Sequence, residues 1–540
     1  MSAAPRAFGP LTSGTTTSHP VLIVAALLLA SFVVGFDTRV FAVGLPDIRG
    51  AYSLGFDEAS WLSTVANAPQ ILISSAVAWL ATVFGVRRVM IPTTLIYACI
   101  SFAIPIVHDS APLFVLHAAR ALLLGVFIPA TIMVIFRNLD MKYWLIGLSI
   151  YALRVPLSQN LGFVLVGLYD DYLGWQWVYW QDVIVTPIIA LLLIIGAPRE
   201  EINLSLLQGA DWGGMMLLGC SMTMIYVGLD QGNRLDWFNS GIVTSLLAGG
   251  AILFIGFLIN ESVVANPWAH ASVILSRNIG IGYAIIIAFT FSSSGAAISI
   301  PGFLQTVVGL RPIAISELYI FGAVIPVFLF IAFAIFLLRR IDARLCIMIG
   351  LAAMALGSLW GSNLSITWAP FNFLPVVLLH TAGQSFAFFA TVVYLIANSD
   401  PKRSTAVSAY IQVIRLGSVE LALSLLNTWL RQREQYHSNI LTGPISSSSD
   451  GLRAVLAKLE TLFGTDHHGN LEALSTVATA VHAQASVLAY ADVFILSFCF
   501  AIAGIALVAC MGAMPFGPLH PDFRKDPSAP KAQPATPDLL

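Results

Sequence analysis

Apolar runs of about 20 residues recur from one end of this chain to the other, and this limits its fold more than any other feature. Each run is long enough to cross a bilayer as a helix. In lipid every backbone N–H and C=O must be satisfied within the protein, which leaves helices or closed barrels as spanning structures. Continuous apolar runs, without strict alternation, select helices. The balance of residues agrees: 58% of the 540 residues are hydrophobic and 10% are charged, far from the composition of soluble globular domains. The chain is expected to be an all-α integral membrane protein.

Fourteen spans are predicted, near 21–45, 59–83, 88–107, 112–136, 144–169, 177–197, 211–229, 240–260, 279–301, 314–338, 345–363, 371–397, 405–429 and 489–514. The first run has no small-residue cleavage site followed by a polar mature segment, and it reads as a retained helix. An even count puts both ends on one side. Lys and Arg set the orientation. With the N-terminus in the cytoplasm, fifteen basic residues, Arg87, Arg88, Arg339 and Arg340 among them, fall in inner loops and tails. Only Arg49, Arg234 and Arg311 fall in outer short loops. Residues 430–488 form a long outer segment. There Leu452, Val455, Leu456, Leu459, Leu462 and Phe463 mark one helical face, suited to packing on its own transporter or to docking another protein. The tail 516–540, rich in Pro, Ala and charge, is expected to be disordered.

Six charges fall inside predicted spans: Asp37 and Arg39, Arg120, Arg154, and Arg415 with Glu420. Each would cost roughly 2.5–3.5 kcal/mol at a helix centre facing lipid. Such groups usually face an interior and pair, as clamps between helices or as a working site. Asp37 and Arg39 stand about 200° apart on a helix, and Arg415 and Glu420 about 140° apart, so neither pair shares a face. Pairing must run between helices, which predicts a central polar cavity lined by spans 1, 4, 5 and 13. Two acids against four arginines make it favour an anion or weak acid, since the Arg fork binds both oxygens of a carboxylate. Asn67, Gln70, Ser158, Gln159, Asn160, His380 and Gln384 add neutral polar groups. His380 titrates near neutral pH in its ordinary range, although a lone intramembrane His is more often simply hydrogen-bonded. No nucleophile triad, metal cluster or phosphate loop stands at credible spacing, so neither an enzyme nor a cofactor is expected. A net charge of −2 gives no reason to expect nucleic acid. The five cysteines read as small core residues.

"FDTRVFAVGLPDI" (36–48) resembles the first-span signature of the fourteen-span drug:proton antiporters of the major facilitator superfamily, the EmrB/QacA type. "AWLATVFGVRRVM" (78–90), "ARALLLGVFIPA" (119–130), "LGFVLVGLYDDYLGWQWVYW" (161–180), "LDQGNRLDWFNS" (229–240), "LSRNIGIG" (275–282) and "IRLGSVELA" (414–422) resemble later segments of that family, in order. The resemblance covers about residues 20–515. It implies a cytoplasmic tail over 1–19, six-helix bundles over 20–200 and 271–515, and two linking helices within 201–270. The outer segment 430–488 would stand before the last helix, 489–515. It also implies alternating access around a midplane site. On this resemblance Asp37 is the proton carrier, with Glu420 and His380 as further candidates. Arg39, Arg120, Arg154, Arg415, Gln70, Gln159 and Gln384 contact substrate or pair charges. Gly85, Arg87 and Arg88 are what remains of the conformational loop after span 2, Thr82 and Val83 standing where an acid and a base are usual. In span 5 Phe163 stands where Pro is expected.

The implied protein is a multi-pass protein of the bacterial inner membrane with both termini cytoplasmic. It would export amphipathic or acidic small molecules against protons. A periplasmic membrane-fusion adaptor and an outer-membrane channel would be its partners. An uptake or facilitative carrier for a small organic acid, and a non-transporting scaffold, are the alternatives.

Overall fold

A computed structural model describes residues 19–203, 210–264, 276–399, 404–443, 450–463, 467–517 and 519–521, and these are helical with short connections. The helices are α1 (Pro20–Ala51), α2 (Phe56–Phe84), α3 (Val86–Ala103), α4 (Ser110–Leu124), α5 (Pro129–Asn138), α6 (Trp144–Leu168) and α7 (Trp177–Gly196). Then follow α8 (Trp212–Gly232), α9 (Gly241–Val263), α10 (Arg277–Thr306), α11 (Pro312–Tyr319), α12 (Pro326–Leu338) and α13 (Ala343–Gly361). The last are α14 (Leu374–Gly383), α15 (Phe389–Ala397), α16 (Ser404–Thr442), α17 (Asp450–Phe463) and α18 (His467–Ala509).

Every predicted span lies on helix. Among the described residues, eleven helical stretches are long and apolar enough to cross a membrane. The three predicted spans outside that set have visible reasons. The fourth is interrupted at Gly125–Ile128, between α4 and α5. The second and fifth dilute their apolar residues with Asn67, Gln70, Arg154, Gln159 and Asn160. Proline starts α1, α5, α11 and α12, where its missing N–H is no loss. Prolines inside α1, α2, α3, α6, α7 and α10 are carried by tertiary packing, as helices within a membrane permit. Single π turns at Ile320–Val324 and Gln384–Phe388 join α11 to α12 and α14 to α15.

The outer face is oily. On α7, Ile184, Ile188, Leu191 and Ile195 are about half exposed and form one stripe; on α9, Ile252, Ile255 and Ile259 do the same. Such patches are a liability in water and are the expected coat in lipid.

Packing falls into two groups. In one, α1 lies against α6 and α7, α3 against α7, and α2 against α4. In the other, α10 lies against α16 and α18, and α13 against α14 and α18. Helices α8 and α9 pair with each other, and α8 also touches α2 and α16. The groups meet where α6 packs on α11, α12 and α15, and where α16 packs on α2 and α5. Gly162 permits one tight crossing: a Cβ there would come within 2.5 Å of the Arg39 Cγ.

The outer segment departs from the expected boundaries. Helices α16 and α18 do not stop near 429 and 489; they continue through Thr442 and back to His467, with α17 packed against α18. A helix with satisfied backbone bonds has no reason to end where it leaves the apolar layer. The predicted terminal tails fall largely outside the described residues, as do Arg6, Lys402, Arg403, Arg524, Lys525 and Lys531.

Candidate functional site

Two separate clusters replace the single polar centre expected from the sequence. The first is sealed. Asp37 of α1, Arg120 of α4 and Asp182 of α7 are each at most 3% exposed. One terminal nitrogen of Arg120 donates to Asp37 and, at 2.6 Å, to Asp182. The Arg120 Nε donates to Ser101 at 2.9 Å. Tyr97 donates to Asp182 at 3.1 Å, and the rings of Tyr97 and Tyr179 face the guanidinium at 4.9 and 5.2 Å. His117 and Tyr179 hydrogen-bond at 3.0 Å on one flank. A buried arginine is thus held by two carboxylates, a serine hydroxyl and two aromatic faces. Together the three groups carry one more negative than positive charge when all are ionised.

Asp182 was not among the residues singled out in the sequence, although it stands in "WVYWQDVIVTP", inside a predicted span. The same rule that singled out Asp37, an acid among apolar neighbours, selects it. Its addition makes three acids against four arginines.

The second cluster lines a cavity of about 900 Å3. The expected lining by spans 1, 4, 5 and 13 needs correction. Asp37 and Arg120 are absent from the wall, because they face away into the first cluster. Helices α1, α2, α6, α8, α10, α16 and α18 line it, with Ile128 from the break in span 4. Arg39, Arg154 and Arg415 are in the wall, as are Gln70, Gln159 and Glu420. The cavity reaches the surface where α2 begins, at the exposed Phe56 and Arg431.

Each wall residue has a distinct setting. The Arg39 Nε donates to the Gln159 carbonyl at 3.1 Å. Its guanidinium lies 4.7 Å from the Phe163 ring, which stacks on Tyr319 of α11 at 5.1 Å. Arg154 is 1% exposed and lies 4.8 Å from the Tyr151 ring. Its two terminal nitrogens have no hydrogen-bond partner among the described residues. Arg415 is half-buried, close enough to Arg154 for the two charges to repel. Gln70 donates to Asn67 at 3.2 Å. Glu420 hydrogen-bonds to Tyr226 and stands near Asp230. Asp230 accepts from Thr64 and Gln231. It too was not singled out in the sequence, because it sits at the margin of its span.

Below the cavity the two groups of helices are stitched together. Gln384 donates to Gln159 at 3.2 Å and to Ser293 at 2.7 Å. His380 is buried and bonds Ser358 at 3.1 Å. It faces a small void of about 30 Å3 shared with Arg39 and Gln384, outside the main cavity.

Gly85, Arg87 and Arg88 lie at the opposite end from the cavity mouth. Gly85 turns the chain at φ +84, and a Cβ there would meet the Glu200 Oε2 at 2.7 Å. Arg87 donates to the carbonyls of Ile194 and Ala197 at 2.9 and 3.0 Å. Arg88 donates to that of Glu200 at 2.6 Å. These arginines tie the α2–α3 turn to the end of α7. No group of three or more metal-ligating side chains occurs among the described residues.

The family model described as Major Facilitator Superfamily matches residues 27–419. The Probable multidrug resistance protein EmrY of Escherichia coli K12 is 26% identical over 81% of this chain and 84% of its own. The multidrug export protein EmrB of Haemophilus influenzae is 24% identical over 96% of this chain and all of its own length. Among solved structures, the proton:xylose symporter XylE bound to 6-bromo-6-deoxy-D-glucose superposes with a TM-score of 0.53. It is 12% identical and covers 90% of this chain and 96% of its own.

Proposed function

The chain belongs to the major facilitator superfamily, and on that premise we propose that it is a proton-coupled efflux transporter of amphipathic or acidic small molecules. It is a multi-pass inner-membrane protein and not an enzyme. The two packing groups act as bundles of six helices, with α8 and α9 as the linking pair, and they rock about the cavity floor. The excess of Lys and Arg on one side supports both termini in the cytoplasm. In that orientation the cavity opens outward, and the loop of Gly85, Arg87 and Arg88 lies at the closed inner face. Multidrug export is named for the relative EmrB, and multidrug resistance for EmrY. It comes to this chain as part of the proposal.

The observation that carries the proposal is the convergence of Asp37 and Asp182 on one Arg120. With Arg120 between them, a single proton held by the two carboxylates balances the cluster. Helices α1, α4 and α7 supply the three groups, so a shift of α1 or α7 during rocking lengthens one contact and changes which acid keeps the proton. Substrate occupies the separate cavity. The coupling passes through α1, whose Asp37 faces the proton and whose Arg39 faces the substrate. Glu420 with Tyr226 forms a second acidic point, in the cavity wall, for proton uptake from outside.

Everted membrane vesicles provide the test. Substrate-induced proton flux is expected in the wild type and is expected to vanish in Asp37→Asn and in Asp182→Asn. Undiminished flux in both variants would remove this cluster from the coupling step and turn attention to Glu420. The projecting helices supply the adaptor surface: Val455, Leu462 and Phe463 are exposed along α17. Photocrosslinking from Leu462 to a co-expressed single-anchor adaptor is the check, and the absence of a specific adduct would count against a tripartite assembly.

A further inference from the structure

The cavity wall contains an imbalance that proton coupling does not use. Its acids are already served: Glu420 by Tyr226, Asp230 by Thr64 and Gln231, and Glu434 by His482. Arg39 is held by the Gln159 carbonyl and the Phe163 face. Arg154 is different. It is 1% exposed, its polar neighbour is the Tyr151 hydroxyl, and no carboxylate pairs with it among the described residues. Buried charged donors without acceptors are among the most expensive features a fold can keep. Arg415 comes toward it from the opposite packing group, and the two cations repel. An acceptor bearing negative charge would satisfy the Arg154 donors and relieve that repulsion at once.

We infer that Arg154 and Arg415 form an anion subsite bridging the two halves of the transporter, which takes the carboxylate of an amphipathic organic acid. The inference rests on the transporter reading above and deepens it. A carboxylate suits the place because its two oxygens match the planar Arg fork, and because a single negative charge balances two adjacent cations only in part, leaving the ligand free to dissociate. The apolar remainder lies along Val155, Leu416, Val419 and Leu423, which share the wall with the two arginines. Arg154 stands on α6 and Arg415 on α16, so a bound acid contacts both halves and alters the balance between their arrangements. A cation of the same size meets a repulsive floor. Selection therefore comes from charge at the floor and not from the shape of the tail.

The experiment uses the full chain in lipid nanodiscs, with decanoate and decyltrimethylammonium as probes of equal tail length. The wild type is expected to bind decanoate more tightly. Arg154→Gln and Arg415→Gln are each expected to weaken decanoate by about tenfold, and the cation far less. Arg154→Lys and Arg415→Lys, which keep the charge but lose the fork, are expected to recover only part of the affinity. If Arg154→Gln fails to fold, the half-buried Arg415 decides alone. Equal binding of acid and cation by the wild type would overturn the subsite, as would decanoate affinity unchanged in Arg415→Gln. Vesicle transport separates the two levels of the argument. Proton-linked export of a cationic dye without acid selectivity removes the subsite and leaves the transporter. Charge-selective binding of decanoate with no transport of any probe removes the transporter and leaves the subsite.

Discussion

The sealed cluster around Arg120 and the wall around Arg154 use the same residue type in opposite ways. Arg120 is surrounded by two carboxylates, a serine and two aromatic faces. Arg154, equally buried, has one tyrosine, Tyr151, beside it and no carboxylate paired with it among the described residues. The first arrangement is balanced from within the protein, apart from one proton. The second leaves its balance to something from outside. Buried charge therefore does not have one meaning in this fold: its hydrogen-bond inventory separates the proposed proton site from the proposed ligand site.

The comparison breaks most visibly if Arg120 is removed. Arg120→Gln leaves two carboxylates facing each other, and loss of one member of a buried ion pair typically costs about 3–5 kcal/mol. A sharp fall in folded protein is expected, read as membrane yield and thermal stability in detergent. Adding Asp37→Asn and Asp182→Asn to that variant should restore stability without restoring proton flux. Recovery of flux would mean that the cluster is structural. Arg154→Gln should behave in the opposite sense. Deleting an unpartnered buried charge is expected to keep or raise the melting temperature, by up to a few degrees, because no partner is orphaned. A drop as large as that of Arg120→Gln would show that Arg154 is paired after all, and would collapse the distinction.

Two smaller effects sharpen the comparison at the ends of the helices. Gly85 sits at φ +84 against Glu200. Gly85→Ala is expected to cost about 1–2 kcal/mol through backbone strain, loosening the α2–α3 turn. It should slow transport while leaving binding of decanoate intact. Asp170, beyond the end of α6, gives the smallest effect. Burial, then the charge of Asp47, push its carboxyl up to about 6, with Asp171 adding and Arg311 opposing. A carboxyl whose folded value is raised costs stability when ionised, so the penalty is full above about pH 6 and fades toward pH 4. Asp170→Asn should raise the melting temperature by about 1 °C at pH 7.5, solvent screening having reduced the effect, and should change nothing at pH 4. A gain that persists at pH 4 would rule out titration as its cause.

Much of this was written in the chain order of the residues. Apolar runs forecast the helices because a 20-residue oily segment has few other solutions in lipid. The opposed faces of Asp37 and Arg39 followed from helix periodicity, and the two side chains do point to different clusters. Asp182 and Asp230 are equally readable as acids in or beside apolar segments; Asp182 stands just past one of the quoted motifs, and Asp230 stands within another, at the margin of its span. The grouping of these charges was not readable. Arg120 and Arg154 look alike in the sequence, each a lone Arg in an apolar span.

The sequence by itself determined that the chain is helical, that it is built for a membrane, and that several ionised groups must be hidden inside. Those properties depend on local periodicity and transfer energies, which act within one segment. Only the tertiary structure decided which charges meet. Asp37, Arg120 and Asp182 are 83 and 62 residues apart along the chain, and their contact depends on how α1, α4 and α7 cross. The same crossing brings Arg154 and Arg415, from helices of opposite packing groups, into the wall of one cavity, where the proposed carboxylate would meet both.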